Sequence, residues 1–401
     1  MLYDSSVINV SYSNFVNYFL SDLVNLIFCI IILFVLFLFN KVNKTEFTIW
    51  SFAFFAVIPI NFLVEAFNYF PDLQGYLICL RDIKEDLDFE YSECARTLIN
   101  FDSESDASAL GIFSLKRQIP AMLYFLIPIP SIANLSSIGF INKIILLLTY
   151  LFVRRHISDE TNRKLLLFLF VLPTVLLYSS LGIRDNLIFC FSLIFLVYLI
   201  KEKFLQSLLV LFFLYLIKLQ NALILSIPFF GIFLFKAHKN NTSLWLYFFC
   251  LFLILIIFQE QITEIINYFR VAFLNEMGLL SPFEVFEGFK SIWELILLSP
   301  FTFIQGLLSP LPTNPLNLIF FIESIALAFL GIYLAKSRMK GQFNFKLMAL
   351  LFLTLYAGVV LNMFVVENQF TLLRYKYSFL NLFIIYLLFN TSSRRKVSFN
   401  I

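Results

Sequence analysis

Long apolar runs recur from one end of the chain to the other, and the polar stretches between most of them are short. A run of about 20 apolar residues is long enough to cross a bilayer as a helix, so each run predicts a transmembrane segment. The predicted spans are residues 23–40, 47–67, 135–153, 165–182, 186–200, 204–218, 220–235, 243–258, 316–335, 346–366 and 377–391. The pattern therefore predicts an all-α fold, a polytopic transmembrane helical bundle of about 11 spans, with residues 1–401 as a single integral membrane domain.

Composition favours the same class of protein. Hydrophobic residues make up 60% of the chain, and 54 of its 401 residues are Phe. The N-terminus has no basic region and no small-residue cleavage site, so it is expected to be retained rather than removed as a signal peptide. Heavy use of Leu, Phe, Ile and Asn is typical of AT-rich bacterial genomes, which makes a bacterial inner membrane the expected location.

Lys and Arg cluster in alternate loops, and cytoplasmic loops are the ones that carry such an excess. The clusters are Lys41 and Lys44, Arg154 to Lys164, Lys201 and Lys203, Lys236 and Lys239, Lys336 to Lys346, and Arg394 to Lys396. Placing them inside assigns 17 of the 29 Lys and Arg residues to the cytoplasm, with only four of the 26 acids. The N-terminus is then periplasmic and the C-terminus cytoplasmic.

Two larger loops fall on the periplasmic side in this topology. The loop at 68–134 is acidic, and its apolar tail "IPAMLYFLIPIPSIA" is interrupted by prolines. The loop at 259–315 has an apolar part from Trp293 to Leu311. Both apolar parts predict short helices that lie in the membrane interface or dip into it.

Several kinds of chemistry lack their residues. Neither a Walker P-loop nor GxGxxG occurs, which disfavours nucleotide-driven transport and sugar-nucleotide chemistry. His156 and His238 both map to cytoplasmic loops, which excludes a His general base on the outer face. No metal-ligand spacing stands out, so we expect no cofactor and no metal. Cys79 and Cys94 share the first large loop and can pair only if that loop is in an oxidising compartment.

Basic residues also occur on the predicted outer side, where the charge rule disfavours them. They are Arg184 in "LGIRDNLI", Lys218 in "LIKLQNAL", and Arg374 and Lys376 in "LLRYKYSF", each next to a span; Lys143 lies near the start of its own span. The phosphate oxygens of a lipid-linked substrate would explain them, since Arg binds phosphate by bidentate, charge-assisted bonds. Alternatively, Arg184 pairs with Asp185, and Lys218 and Lys376 extend to lipid headgroups.

Three carboxylates are candidates for a role in chemistry. Asp72, in "FPDLQGY", directly follows a span and could act as a general base toward a sugar hydroxyl. Asp185 lies beside Arg184 and could do the same or orient the acceptor. Glu323 lies inside a span, where a carboxylate is either functional or bound to a neighbouring helix.

The segments "SSIGFINKIILLLTYLF", "LPTVLLYSSLGIRDNLIF", "IKLQNALIL", "LLSPLPTNP" and "ENQFTLLRYKYSF" carry a family resemblance. With the number of spans, the chain length and the large outer loops, they make the chain resemble the Wzy-type polymerases of O-antigen and capsular polysaccharide. The resemblance covers the whole chain, through loose motifs, and implies a GT-C-like helical fold.

The resemblance also implies a reaction. A glycan on undecaprenyl diphosphate is transferred to another lipid-linked repeat unit, in O-antigen or capsule biosynthesis, and undecaprenyl diphosphate is released. Arg184 and Arg374 match the arginines that bind diphosphate in such families, with Lys218 and Lys376 in support. The expected partners are the undecaprenyl-diphosphate-linked glycan, the bilayer and a chain-length regulator, without nucleic acid. Related ligases use a periplasmic His, which this chain lacks, so the base stays unassigned between Asp72 and Asp185.

Two other functions remain open from the sequence. A GT-C-type glycosyltransferase that uses a polyprenyl-phosphate sugar would add one sugar, with Asp72 as its base. A flippase or transporter of the lipid-linked repeat would catalyse no reaction, and transporters often show paired halves with broken helices. No internal repeat is visible in the sequence.

Overall fold

The structure is a computed structural model, and it describes residues 12–67, 119–237, 242–276, 288–339, 345–366 and 369–389. These residues are predominantly helical, and no strand occurs among them. In chain order the helices are α1 (Tyr12–Leu38), α2 (Lys44–Phe55), α3 (Val57–Phe67), a short helical segment at 119–125, α4 (Leu135–Arg154), α5 (Glu160–Phe170), α6 (Pro173–Ser180), α7 (Asp185–Ile200), α8 (Phe204–Ile217), α9 (Leu219–Ala237), α10 (Thr242–Ile257), α11 (Gln259–Glu276), α12 (Ile292–Leu308), α13 (Pro315–Met339), α14 (Phe345–Val365) and α15 (Gln369–Leu388). The all-α class is confirmed.

Every predicted span falls on one of these helices or on a helix pair, but the helices differ in length. Those long and apolar enough to cross a membrane are Tyr18–Leu38, Lys44–Val64, Leu135–Arg154, Pro315–Met339 and Phe345–Val365. Two helix pairs are bent at a short break: α5 with α6 by 53°, and the C-terminal part of α10 with α11 by 72°. The chain is therefore a membrane protein with 5 to 7 such segments among the described residues.

The number of crossings remains a prediction, because the other apolar helices are short. α7, α8, the apolar part of α9 and α12 have between 10 and 17 residues. A straight crossing of the hydrocarbon core takes about 20 residues. The helix predicted at Trp293 to Leu311 is present as α12.

Packing divides the chain into two compact units. The first unit comprises Met1–Phe152 and Val175–Cys190, and the second comprises Val153–Thr174 and Phe191–Ile401.

In the first unit, α2 is capped at its start and is bound to α4. Asn43 caps α2, since its side chain accepts the Glu46 N–H and Glu46 accepts the Asn43 N–H, each at 2.9 Å. The Tyr150 hydroxyl of α4 donates to the same Glu46 carboxylate. The Trp50 ring packs on Tyr150 with centroids 5.6 Å apart. The buried carboxylate of Glu46 therefore joins α2 to α4.

In the second unit, α14 packs against α9, α11, α12 and α15. Loops that were predicted to share one side of the membrane also share contacts. The Asn162 amide donates to the Leu388 carbonyl at 3.0 Å, and Arg338 Nε donates to the Leu387 carbonyl at 2.8 Å. These contacts join the first turn of α5, the end of α13 and the end of α15, which were all predicted to be cytoplasmic. Within this unit, the contacts agree with the predicted alternation of loops between the two sides of the membrane. Which side is cytoplasmic remains a prediction.

The orientation can be tested with single cysteines at two exposed lysines. In a chain whose native cysteines are replaced, Lys290→Cys lies in the predicted outer loop and Lys203→Cys in a predicted cytoplasmic turn. We expect an impermeant maleimide to label Lys290→Cys in intact spheroplasts and Lys203→Cys only after lysis. The reverse pattern would invert the topology, and equal labelling before lysis would contradict an odd number of crossings between the two positions.

Candidate functional site

The second unit brings together two of the predicted phosphate ligands, although they are far apart in sequence. Lys218 follows the last residue of α8, and its ammonium lies 3.3 Å from the centroid of the Tyr375 ring. The guanidinium carbon of Arg374 lies 5.6 Å from the same centroid. Aromatic faces attract cations, so Tyr375 holds both charges near the start of α15. We call Lys218, Arg374 and Tyr375 the cation–tyrosine cluster.

Tyr375 was not predicted as a site residue. A signal for it exists in "RYKY", where basic and aromatic residues alternate. On a helix such neighbours point in different directions, so the sequence alone does not show which ring meets which cation.

Lys376 has a different environment from its neighbour Arg374. Its ammonium donates to the carbonyls of Leu307 and Ser309 and to the Ser324 hydroxyl, the last at 2.8 Å. The side chain is 4% exposed. Because an ammonium has three donors, Lys376 is fully used in joining the end of α12 to α13. In this conformation it supports the site rather than facing a ligand.

Glu323, the carboxylate inside a span, is also bound by the protein. Its Oε2 accepts the backbone N–H of Thr174 at 2.9 Å. It also interacts electrostatically with Lys376. Of the two alternatives for this residue, the structure thus shows the contact with neighbouring elements.

In the first unit, side chains hold the turn that precedes Arg184. The Asn142 amide donates to the carbonyls of Leu181 at 2.7 Å and Ile183 at 3.2 Å. The Tyr124 hydroxyl donates to the same Ile183 carbonyl at 3.0 Å. The turn is therefore fixed before α7 begins at Asp185.

Arg184 and Asp185 occupy the start of α7. Asp185 is 2% exposed and lies in the first turn, where a carboxylate is favoured by the helix dipole. Arg184 is half-buried, and its Nε is shielded from solvent with no hydrogen-bond acceptor in the described part of the chain. A shielded guanidinium donor of this kind is suited to an anionic ligand.

Lys143, on α4, is fully buried. Its ammonium donates to the Leu176 carbonyl at 3.1 Å and to the Ser179 hydroxyl at 2.7 Å. One turn earlier, Gly139 faces Ser180, and a Cβ at position 139 would lie 2.1 Å from the Ser180 carbonyl oxygen. α4 is therefore in close contact with the segment that leads to Arg184.

Three of the remaining predicted groups lie outside the described residues. Asp72, Cys79 and Cys94 belong to residues 68–118, which are not described. Within the described ranges, no three His, Cys, Asp or Glu side chains come together as metal ligands.

Comparisons with known proteins give no family for this chain. No family model matches it, and no curated protein or solved structure matches it in sequence or fold. The resemblance to the Wzy-type polymerases therefore rests on the sequence alone.

The contact between α4 and the Arg184 turn predicts a difference between two glycines. We expect Gly139→Ala to lower the free energy of unfolding by about 2 kcal/mol, because the new methyl group overlaps a backbone carbonyl. Gly331→Ala is the matched control, since its Cβ would lie 3.7 Å from the nearest atom, Ile384 Cγ1. Thermal unfolding of the two purified variants in detergent measures the difference. Equal stability of the two would contradict the close approach of α4 to Ser180.

The role of Lys376 predicts a loss of stability that depends on Glu323. Lys376→Met leaves two buried carbonyls and the Ser324 hydroxyl without their donor and removes a positive charge near Glu323, and we expect a loss of about 2–3 kcal/mol. Adding Glu323→Gln should recover part of the loss, because the unpaired charge is removed. Lys290→Met, at an exposed site, should change stability by less than about 0.5 kcal/mol. A single variant as stable as wild type would show that Lys376 is not a structural residue.

Proposed function

We propose that this protein polymerises undecaprenyl-diphosphate-linked oligosaccharide repeat units on the outer face of a bacterial inner membrane, in O-antigen or capsule biosynthesis. The observation that carries the proposal is the cation–tyrosine cluster, in which Lys218 and Arg374 meet on one ring. The two residues come from separate predicted outer turns next to membrane-embedded helices. A cationic site at that place is what a lipid-linked phosphate requires.

The chemistry of the cluster suits a diphosphate. Arg presents a planar set of donors that matches phosphate oxygens in pairs, and Lys adds a compact point charge. Their distances from the Tyr375 centroid, 3.3 and 5.6 Å, bring both charges within reach of a single diphosphate. Partial burial strengthens such interactions, because the local dielectric is low.

In the proposed reaction a hydroxyl oxygen of the acceptor repeat unit attacks the anomeric carbon of the donor. The bond from that carbon to the diphosphate oxygen breaks, and undecaprenyl diphosphate leaves with the electron pair. Lys218 and Arg374 stabilise the charge on the leaving group. Arg184 keeps the phosphate-binding role that the family resemblance implies. Asp72 or Asp185 takes the proton of the attacking hydroxyl.

Two alternatives share parts of this site. A GT-C-type transferase that uses a polyprenyl-phosphate sugar would need the same cationic cluster, and the product would carry one added sugar instead of a polymer. A flippase of the lipid-linked repeat is favoured by one observation, the two bent helix pairs, because broken helices are common in transporters.

Complementation of a deletion strain tests the proposal, with surface polysaccharide analysed on gels. We expect deletion to leave the core with a single repeat unit, and wild type to restore the ladder. Lys218→Gln, Arg374→Gln and Arg184→Gln should each reduce polymer by about tenfold or more at equal protein level, since each removes a charge-assisted contact. Lys290→Gln, an exposed charge outside the cluster, should restore a normal ladder.

Each other outcome would contradict a part of this proposal. Loss of the single-repeat band on deletion would exclude the polymerase and favour a flippase or an earlier transferase. A single band of altered sugar content would favour the single-sugar transferase. A full ladder from the Lys218 and Arg374 variants would remove the cation–tyrosine cluster from the active site.

A further inference from the structure

The second unit contains a cavity of about 450 Å³. The residues named so far as phosphate ligands are not among those that line it. Residues of α11, α12, α14 and the first turn of α15 line it, together with Phe289 and two residues after α12. Its wall includes Arg270, Phe289, Leu298, Phe301, Thr302 and Gln305. Cavities of about 300–1,000 Å³ are typical of small-molecule sites.

The wall combines one charge with apolar surface. Arg270 is the single formally charged residue among the lining residues, and an arginine in a protein is always protonated. Gln305 adds an amide, while Thr302 has already donated its hydroxyl to the Leu298 carbonyl at 2.9 Å. Phe289, Leu298 and Phe301 supply apolar surface. This composition suits a ligand with an anionic group and an apolar body.

The cation and its surroundings are held in place. The Asn267 amide clamps Phe289, since its oxygen accepts the Phe289 N–H and its nitrogen donates to the Phe289 carbonyl, both at 2.9 Å. The guanidinium of Arg270, one turn further along α11, lies 5.1 Å from the Phe289 ring centroid. The same ring meets Phe364 of α14 edge-on at 5.2 Å. A site built in this way needs little reorganisation to bind.

The cavity opens along the exposed apolar side of α12. Phe301 is 76% exposed and Leu298 is 42% exposed, although both line the cavity. Leu297 and Ile304 continue the exposed apolar surface along the same helix. In a membrane this surface contacts acyl chains, so a ligand can enter sideways with its apolar part still in the bilayer.

We propose that this cavity binds a phosphate-bearing lipid, with the phosphate on Arg270 and Gln305 and the chain along Leu298 and Phe301. The lipid is either an isoprenoid phosphate or a phospholipid of the bilayer, which present the same chemistry to Arg270. This site does not rest on the proposed function, because a lipid bound here need not be a substrate.

The test uses the full chain purified in detergent, with undecaprenyl monophosphate, dioleoylphosphatidylglycerol and undecaprenol as probes. Wild type should bind at least one phosphate lipid and should bind undecaprenol about tenfold or more weakly, because undecaprenol lacks the charged group. Arg270→Gln should weaken binding of the phosphate lipid by a similar factor, and Arg270→Lys should weaken it less. Lys290→Gln is the matched control, since it removes a nearby charge that does not line the cavity, and should bind as wild type does.

A second variant separates the cavity from surface binding. Thr302→Trp fills the cavity and should abolish binding of every probe at unchanged thermal stability. If it does not fold, Gln305→Leu takes its place and should weaken only the phosphate lipids.

The outcomes then identify the source of the lipid or reject the site. Binding of undecaprenyl monophosphate that phosphatidylglycerol does not displace identifies an isoprenoid phosphate, and equal binding identifies a bilayer phospholipid. Equal binding of undecaprenol, or wild-type affinity of Arg270→Gln, would overturn the proposal. Because binding is measured on the purified protein, these results are independent of the polysaccharide ladder.

Discussion

The structure depends on one constraint: the carbonyl groups at the ends of helices need hydrogen-bond donors. The last carbonyls of a helix have no partner within it, and a lipid environment supplies no donor. In this chain, side chains of other helices supply the donors. Lys376 binds carbonyls at the end of α12, and Arg338 binds the Leu387 carbonyl of α15. The helix dipole also favours a cation at each of these places.

This requirement separates bases that look alike in the sequence. Lys143 and Lys376 lie on the predicted outer side against the charge rule, and their contacts with carbonyls explain them without a ligand. Lys218 and Arg374 instead contact the Tyr375 ring. This contact sets two positive charges side by side on one ring, so anion binding is better argued from the cation–tyrosine cluster than from the number of outer bases.

The apolar pattern was enough to predict where helices lie, because burial in lipid allows few other structures. It was not enough to predict where they bend. The break after Phe170 precedes Pro173, and the break at Phe258 lies where the apolar run gives way to Gln259 and Glu260, but neither signal gives the angle of the bend. The sequence pointed to Arg184, Lys218 and Arg374 through their charge next to spans. It gave no sign of Arg270, whose role depends on Phe289 and on α12, elements distant in sequence that meet only in the fold.

The bent helix pairs bear on the choice between an enzyme and a transporter. In transporters, the backbone groups freed at a broken helix bind the substrate or the coupling ion. At the break between α5 and α6, the Thr174 N–H is already bound, because the Glu323 carboxylate accepts it at 2.9 Å. Glu323 in turn interacts with Lys376, which joins α12 to α13. The Thr174 N–H at this break is thus taken up by the protein itself, which supports the proposed enzyme over the alternative transporter.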